Sequence, residues 1–329
     1  MPVLREMVAP ETAGDPMSAQ KWVRSSLRQL SRRLTAAGHP VSPPTVGRLL
    51  KSLDDALHVN AKKVEAGSTH PNRDTQFAYI AAQRQAFQTA GQPILSVDTK
   101  KKELIGTVKN AGQTWCREPE AVNVHDFLQE GLGRAVPYGI DDVTRNHGTV
   151  SVGSSGDTPQ FAVDVLARWW DTTGRAAYPG ATKILILADG GGSNASRSRV
   201  WKQQLQEQMS DARGLTVTVC HYPPGCSKWN PIEHHLCGPI SLNWAGRPLR
   251  SFGTMLAFLR GTTTTTGLQV DAVCHDGVYP TGQGVSDAEM ATLQLDRHAS
   301  CPTWNYTLHP RCSAPVGPQA DQVNRELIA

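Results

Sequence analysis

The chain has 329 residues, 39% of them hydrophobic, with seven cysteines and a formal net charge of +4 at pH 7. That length allows two or three domains whose cores need no staples. No apolar run reaches bilayer-spanning length, no apolar leader follows Met1, and the odd, unrhythmic cysteines favour a reducing cytosol. A pI near 8.7 admits a nucleic-acid partner without demanding one.

From Lys21 to Leu34 the spacing of Val23, Leu27, Leu30 and Leu34 predicts an amphipathic helix, with Arg24, Arg28, Arg32 and Arg33 on its other faces. Gly38 reads as its stop. A second helix is expected after Ser42 as N-cap and Pro43 at the first helical position, with Val46, Leu49, Leu50 and Leu53 inward. Two short helices and a glycine turn, the first helix strongly basic, suggest a helix-turn-helix in which Thr45, Arg48 and Lys51 face a DNA groove. The same pattern also fits a plain helical hairpin with solvated charges. Residues 60–73 are polar and rich in turn formers, so residues 1–73 are expected to form an all-helical DNA-binding region and its linker.

A helix is predicted over about Asp74 to Ala90, and then a β-rich stretch begins. Pro93-Ile94-Leu95-Ser96-Val97-Asp98 reads as a strand ending at an aspartate, and Leu104 to Lys109 as a short strand before the Asn110-Ala111-Gly112 turn. On its own, Asp98 reads equally as an exposed hairpin residue balanced by Lys100, Lys101 and Lys102. Tyr138 to Val143 and Gly148 to Gly153 follow as strands around an Arg145-Asn146-His147-Gly148 turn. A helix over about Asp157 to Thr173 carries the stripes Phe161/Val165/Trp169 and Ala162/Leu166/Trp170.

Ile184-Leu185-Ile186-Leu187 is a continuous apolar run, as in a strand buried on both faces, and it ends in Ala188-Asp189-Gly190-Gly191-Gly192-Ser193-Asn194. A carboxylate at the outer end of a central strand occupies the position where α/β sheets collect ligands, and burying it requires a cation or a donor. A helix over about Ser196 to Met209 and a strand over Leu215 to Cys220 come next. Asn230, Pro231 and Glu233 then suit the N-cap, first and third positions of another helix, which gives Glu233 a purely local role as a capping-box residue.

The order β-β-β-α-β-α-β-α with acids on the first strand, after the fourth strand and on the last helix resembles the ribonuclease-H-like core of DDE transposases and integrases. The motifs Ser96-Val97-Asp98-Thr99-Lys100-Lys101-Lys102-Glu103, Val124-His125-Asp126-Phe127, Ala188-Asp189-Gly190-Gly191-Gly192-Ser193-Asn194, Ser227-Lys228-Trp229-Asn230, Ile232-Glu233-His234 and Trp304-Asn305-Tyr306-Thr307 are similar to those of ISAzo13-type insertion-sequence transposases, over about Gly14 to Leu308. Cys226 and Pro231 depart from that pattern, standing where threonine and lysine are expected.

The resemblance implies an α/β fold: a ribonuclease-H-like mixed five-stranded sheet flanked by helices, spanning 74–260, with a C-terminal extension over 261–312. Residues 313–329 read as a polar, disordered tail. It implies that Asp98, Asp189 and Glu233 are both catalytic and metal-binding, holding two Mg²⁺ ions or Mn²⁺, with Asp98 bridging. The implied activity is strand cleavage at insertion-sequence ends and 3′-hydroxyl transfer into target DNA. It would be carried out by a homo-oligomer on double-stranded DNA in a bacterial cytoplasm, associated with the nucleoid.

Lys100, Lys101, Lys102 and Lys228 are then placed on DNA phosphates and Trp229 on a splayed base, with the motif neighbours Asn230 and His234 beside them. Four other readings remain. One is a structural zinc site among Cys220, His221, Cys226, His234, His235 and Cys237, whose spacing matches no finger pattern. Another is a phosphate loop at Asp189, which lacks the Gly-Lys-Ser/Thr ending. The others are an inactive relic that binds DNA without cutting it and a copy truncated at its N-terminus. Val285-Ser286-Asp287-Ala288-Glu289 suggests a short capped helix, and the run Thr262 to Thr266 is either a linker or a helix end.

Overall fold

The computed structural model describes residues 2–8, 12–14, 21–23, 25–52, 70–114, 116, 118–124 and 133–311. Arg24, Leu53, His125-Asp126-Phe127, linker positions 60–69 and the tail from Ser313 lie outside the described residues. The chain divides into two compact units, 1–65 and 66–329.

The first unit is not all-helical. Helix Pro2–Val8 is followed by strands β1 (Thr12–Gly14) and β2 (Lys21–Val23), which pair antiparallel. The helix expected from Lys21 starts only at Leu27 and ends at Ala36. Ser26 accounts for this, because its hydroxyl accepts the Gln29 N–H at 3.3 Å as an N-cap, a position serine prefers to a helix interior. Gly38 takes the turn at φ +83°, and Ser42 caps the helix Pro43–Lys51 as expected. Leu30, Leu34 and Val46 are buried with Leu4 and Val8, while Arg28, Arg32, Arg48 and Lys51 are exposed.

The second unit opens with helix Arg73–Thr89 and is built on a nine-stranded sheet. Its strands are β3 (Ile94–Thr99), β4 (Glu103–Ile105), β5 (Gly133–Asp142), β6 (His147–Gly153), β7 (Lys183–Ala188), β8 (Thr216–His221), β9 (Gln269–His275), β10 (Leu295–Arg297) and β11 (Asn305–Leu308). The order is β10-β11-β8-β7-β3-β5-β6-β9, with β4 on β5. β5 lies between β3 and β6 and is antiparallel to both, and β7 and β8 run parallel to β3. These make the expected five-stranded core. The extra strands come mainly from the C-terminal extension: β9 pairs parallel with β6, and β11 covers the β8 edge. Their partners lie far away in sequence, so no local pattern announces the pairing.

β7 is buried on both faces, as its apolar run predicts. Ile184 and Ile186 pack with Val97, Tyr138 and Ile140 under helix Pro159–Trp169, where Phe161, Val165 and Trp169 are buried. Leu185 and Leu187 pack with Ile80 and Phe87 of helix Arg73–Thr89 on the other face. That second face is completed over β5, β6 and β9 by Ile232, Leu236, Ile240, Met255 and Leu259. Two helix layers therefore share the second face, and the functional side chains emerge where they meet.

Candidate active site

In the parallel register of β3 and β7, Val97 lies beside Ala188, so the next residues, Asp98 and Asp189, leave the two strands side by side. Asp98 shares its face with Ser96, two residues earlier, because side chains alternate along a strand. Its cross-strand partner is Gly139 of β5.

Glu233 arrives from a helical stretch that turns widely over Glu233–Cys237 and tightens over Gly238–Asn243. Two glycines let this helix close on the sheet. A Cβ on Gly139 would stand 3.0 Å from Ile232 Cδ1, and one on Gly148 would stand 2.4 Å from Leu236 Cδ1. The helix start is also tied to β3. Ser96 Oγ donates to Asn230 Oδ1 at 2.6 Å and accepts the Ile232 N–H at 3.0 Å, while Asn230 Nδ2 donates to Val97 O at 3.2 Å. Ser96 and Asn230 are fully buried. The strand residue next but one to Asp98 thus fixes where Glu233 begins its helix.

The expectation that Glu233 serves a capping box with Asn230 is corrected by these bonds. The Asn230 N–H goes to Ser227 O at 2.8 Å, and its side chain is engaged with β3. Asn230 is corrected as a DNA contact too, since it is an interior tie with no exposed surface.

Of the three glycines after Asp189, only Gly192 has a backbone that calls for one. Gly192 adopts φ +62°, the left-handed region that favours glycine. A Cβ on Gly190 or Gly191 would meet only ordinary contacts, at 3.7 and 3.8 Å. The Gly191 N–H donates to Asp189 Oδ1 at 3.2 Å. Behind Asp189, the fully buried His221 has Nδ1 at 2.9 Å from the Asp189 carbonyl, an acceptor, so Nδ1 carries the proton. Burial lowers the His221 pKa to about 4, which keeps the ring neutral. Gln76 of helix Arg73–Thr89 donates to the His221 carbonyl at 2.8 Å and bonds Asn305 of β11 at 2.7 Å.

The electrostatics of the three acids are mutual. Burial first, then the Asp189 charge, pushes the Asp98 carboxyl up to about 8, with Glu233 adding to the rise. The Thr99 N–H, bonded to Asp98 Oδ1 at 2.7 Å, opposes it. Asp189 is raised by burial, against the Gly191 N–H, and further by Glu233. Carboxylate oxygens are the hard donors that Mg²⁺ and Mn²⁺ take, and a divalent cation would cancel this repulsion, so the donor set fits such an ion. Among the described residues, no three His, Cys, Asp or Glu side chains converge tightly enough to enclose an ion unaided. Mg²⁺ usually binds through one or two carboxylates, with water and phosphate completing its shell.

The other expected site residues scatter. Lys100 is mostly covered: its ammonium lies 3.0 Å from Glu103 Oε1 and 4.6 Å from the Trp244 ring centre. Lys101 is exposed, and Lys102 lies 3.6 Å from Asp157 Oδ2. Trp229 is 52% exposed, with its edge on Phe77 and the Lys228 ammonium 5.8 Å from its ring centre. His234 Nε2 sits 2.6 Å from the Lys228 carbonyl. Of the zinc candidates, Cys220 and Cys237 are core residues, and His235 Nδ1 lies 3.2 Å from Asp141. Sequence reasoning missed Ser96, Gly139, Gly148 and Asp157; the Ser96/Asp98 alternation was the one available signal.

An antiparallel β3-β5-β6 unit joined to parallel β7 and β8, with helices on both faces, defines a ribonuclease-H-like α/β protein. Residues 3–310 match the family described as the Rhodopirellula transposase DDE domain, and the chain belongs to this family of ISAzo13-type DDE transposases. No curated protein matches the chain. Solved structures of similar fold include the Mos1 transposase paired-end complex with the left transposon end, at 12% identity and TM-score 0.42, covering 78% of this chain and 69% of that one. The Mos1 strand transfer complex is similar at 13% identity and TM-score 0.42, covering 78% and 68% of the two chains.

Proposed function

We propose that this transposase cuts DNA at the ends of an insertion sequence and joins the freed 3′-hydroxyl to target DNA, with Asp98, Asp189 and Glu233 as its catalytic, metal-holding carboxylates. The observation that carries the reading is the meeting of the three acids from β3, the end of β7 and the helix after β8. In the cleavage step, water attacks phosphorus and the bond to the 3′ oxygen breaks. In the joining step, that 3′-hydroxyl attacks a target phosphodiester and displaces its 3′ oxygen. Neither step needs a covalent link to the protein.

A divalent ion bound here would supply Lewis acidity and lower the pKa of an attacking water. The chain's own contribution is to hold the three carboxylates on one face and to fix their backbones. Ser96 and Asn230 set the start of the Glu233 helix, and His221 pins the Asp189 carbonyl. Lys101 and Lys102, exposed just after β3, would neutralise backbone phosphates, and exposed Trp229 would stack on an unpaired base. Arg48 and Lys51, exposed on helix Pro43–Lys51, are assigned to end recognition by a helix-turn-helix. Two DNA ends handled together call for at least two copies of the chain.

The test is strand cleavage and joining on DNA carrying the terminal repeats that flank the reading frame, with Mg²⁺ or Mn²⁺. Asp98→Asn and Glu233→Gln proteins are expected to lose both reactions. Full activity in either variant would remove that residue from the catalytic set.

A further inference from the structure

A fourth carboxylate, Asp157, is bound into the same end of the sheet. It precedes Thr158, the N-cap of helix Pro159–Trp169, and its side chain is 16% exposed. Its Oδ1 accepts the Thr99 hydroxyl at 3.0 Å, and its Oδ2 lies 3.6 Å from Lys102 Nζ.

The direction of that first bond decides the next. A carboxylate only accepts, so the one hydroxyl proton of Thr99 goes to Asp157. Thr99 Oγ1 also stands 3.2 Å from Ser193 Oγ, and with its proton committed it must accept there, leaving Ser193 as the donor. Ser193 is buried in the turn that follows Asp189. The Thr99 N–H, meanwhile, orients Asp98 at 2.7 Å. One residue therefore joins Asp98 through its backbone to the Asp189 turn through its hydroxyl. Tyr138 adds a parallel tie, donating to Asn194 Oδ1 at 2.8 Å in the same turn.

We infer that Asp157 is a positioning residue for the metal-holding pair: by taking the Thr99 proton it orders the Thr99–Ser193 bond and so holds the Asp189 turn beside Asp98. The inference rests on the proposed metal-holding role of Asp98 and Asp189. It assigns Asp157 the part of an outer hydrogen-bonding partner, a kind of residue whose loss typically weakens metal binding by about 10–100-fold.

The test is Mn²⁺ binding to the full chain without DNA, followed by the electron paramagnetic resonance of free Mn²⁺. Asp157→Ala is expected to weaken binding by about tenfold or more. Asp157→Asn, which keeps an acceptor oxygen, is expected to stay within about threefold of the unaltered chain. Thr99→Val removes the hydroxyl without touching the Asp157 loop, is expected to match Asp157→Ala, and decides the matter if Asp157→Ala fails to fold.

Equal losses in Asp157→Asn and Asp157→Ala would overturn the inference in favour of a direct charge or ligand role. Unchanged binding in Asp157→Ala and Thr99→Val would reduce Asp157 to a loop anchor. Asp98→Asn is the separate control: if it leaves Mn²⁺ binding intact, the metal-holding reading itself fails, whatever Asp157 does.

Discussion

The paired strands β3 and β5 carry acidic groups at both ends, and the two ends are built differently. At one end Asp141 and Asp142 lie opposite Ser96 and Leu95. Each has a side-chain partner: Asp141 meets His235 at 3.2 Å, and Asp142 accepts the Tyr178 hydroxyl at 2.8 Å with Arg145 at 3.9 Å. At the other end Asp98, Asp189 and Glu233 act on one another: the Thr99 and Gly191 N–H groups bond the two aspartates, and Asp98 also shares a side-chain hydrogen bond with Glu233. Burial raises the carboxyls at both ends; after it, His235 lowers Asp141 and the Tyr178 hydroxyl lowers Asp142, whereas Asp189 raises Asp98 further and Glu233 raises both Asp98 and Asp189 against the N–H groups of Thr99 and Gly191. Asp141 and Asp142 thus each have one oxygen engaged within the chain, although Asp141 Oδ1 and Asp142 Oδ2 are buried without a hydrogen bond, whereas the charged neighbours of Asp98 and Asp189 are acids.

The largest effect that would break this contrast is catalytic. Asp189→Asn is expected to lower strand cleavage by about a thousandfold or more, the scale of several kcal/mol of transition-state stabilisation. Asp142→Asn should leave turnover within about tenfold and act on stability instead. Comparable losses from both in a cleavage assay would erase the distinction.

Next in size is the pH dependence of the metal-free protein. The Asp98 carboxyl rises from 3.8 to about 8 on folding. Between those values the folded chain holds more protons than the unfolded chain, so stability falls as pH increases through that window. Thermal melts in EDTA should therefore show a lower midpoint at pH 8 than at pH 5. Asp98→Asn should flatten that slope and raise the midpoint at pH 8, by about 2–4 °C for each kcal/mol relieved. A divalent cation should restore more stability at pH 8 than at pH 5.

Smaller again is the effect of packing at the glycine floor. Gly148→Val drives a side chain into Leu236 and should cost about 1–3 kcal/mol in denaturant unfolding. It should also lower cleavage by displacing the Glu233 helix. Of similar or smaller size, His235→Ala takes the hydrogen-bonded partner from the buried Asp141 carboxyl and should cost about 1–3 kcal/mol in denaturant unfolding, with cleavage retained.

What could be read from the sequence was what local patterns encode. The four-residue apolar run of β7 declared a strand buried on both faces, and the serine caps at Ser42 and Ser286 marked true helix starts. Where reading failed, a distant partner decided. Asn230 looks like a helix cap until Ser96, far back in the chain, claims its side chain. Trp304-Asn305-Tyr306-Thr307 was legible as a motif but not as a strand, because β8 supplies its pairing. Lys21 to Val23 fits helical periodicity, yet Ser26 caps the helix after it and the stretch pairs as β2 instead. Nor do three consecutive glycines say which of them the turn requires, and only Gly192 holds a left-handed backbone. The acids themselves were visible. Their convergence required the register of β3 with β7 and the two glycines under the Glu233 helix.

The most direct test of the central claim is a crystal of the full chain grown with Mn²⁺ and measured at the manganese absorption edge. Anomalous density is expected against Asp98, shared with Asp189 or Glu233. Density at Asp141 and Asp142 instead, or none beside Asp98 at saturating Mn²⁺, would contradict it.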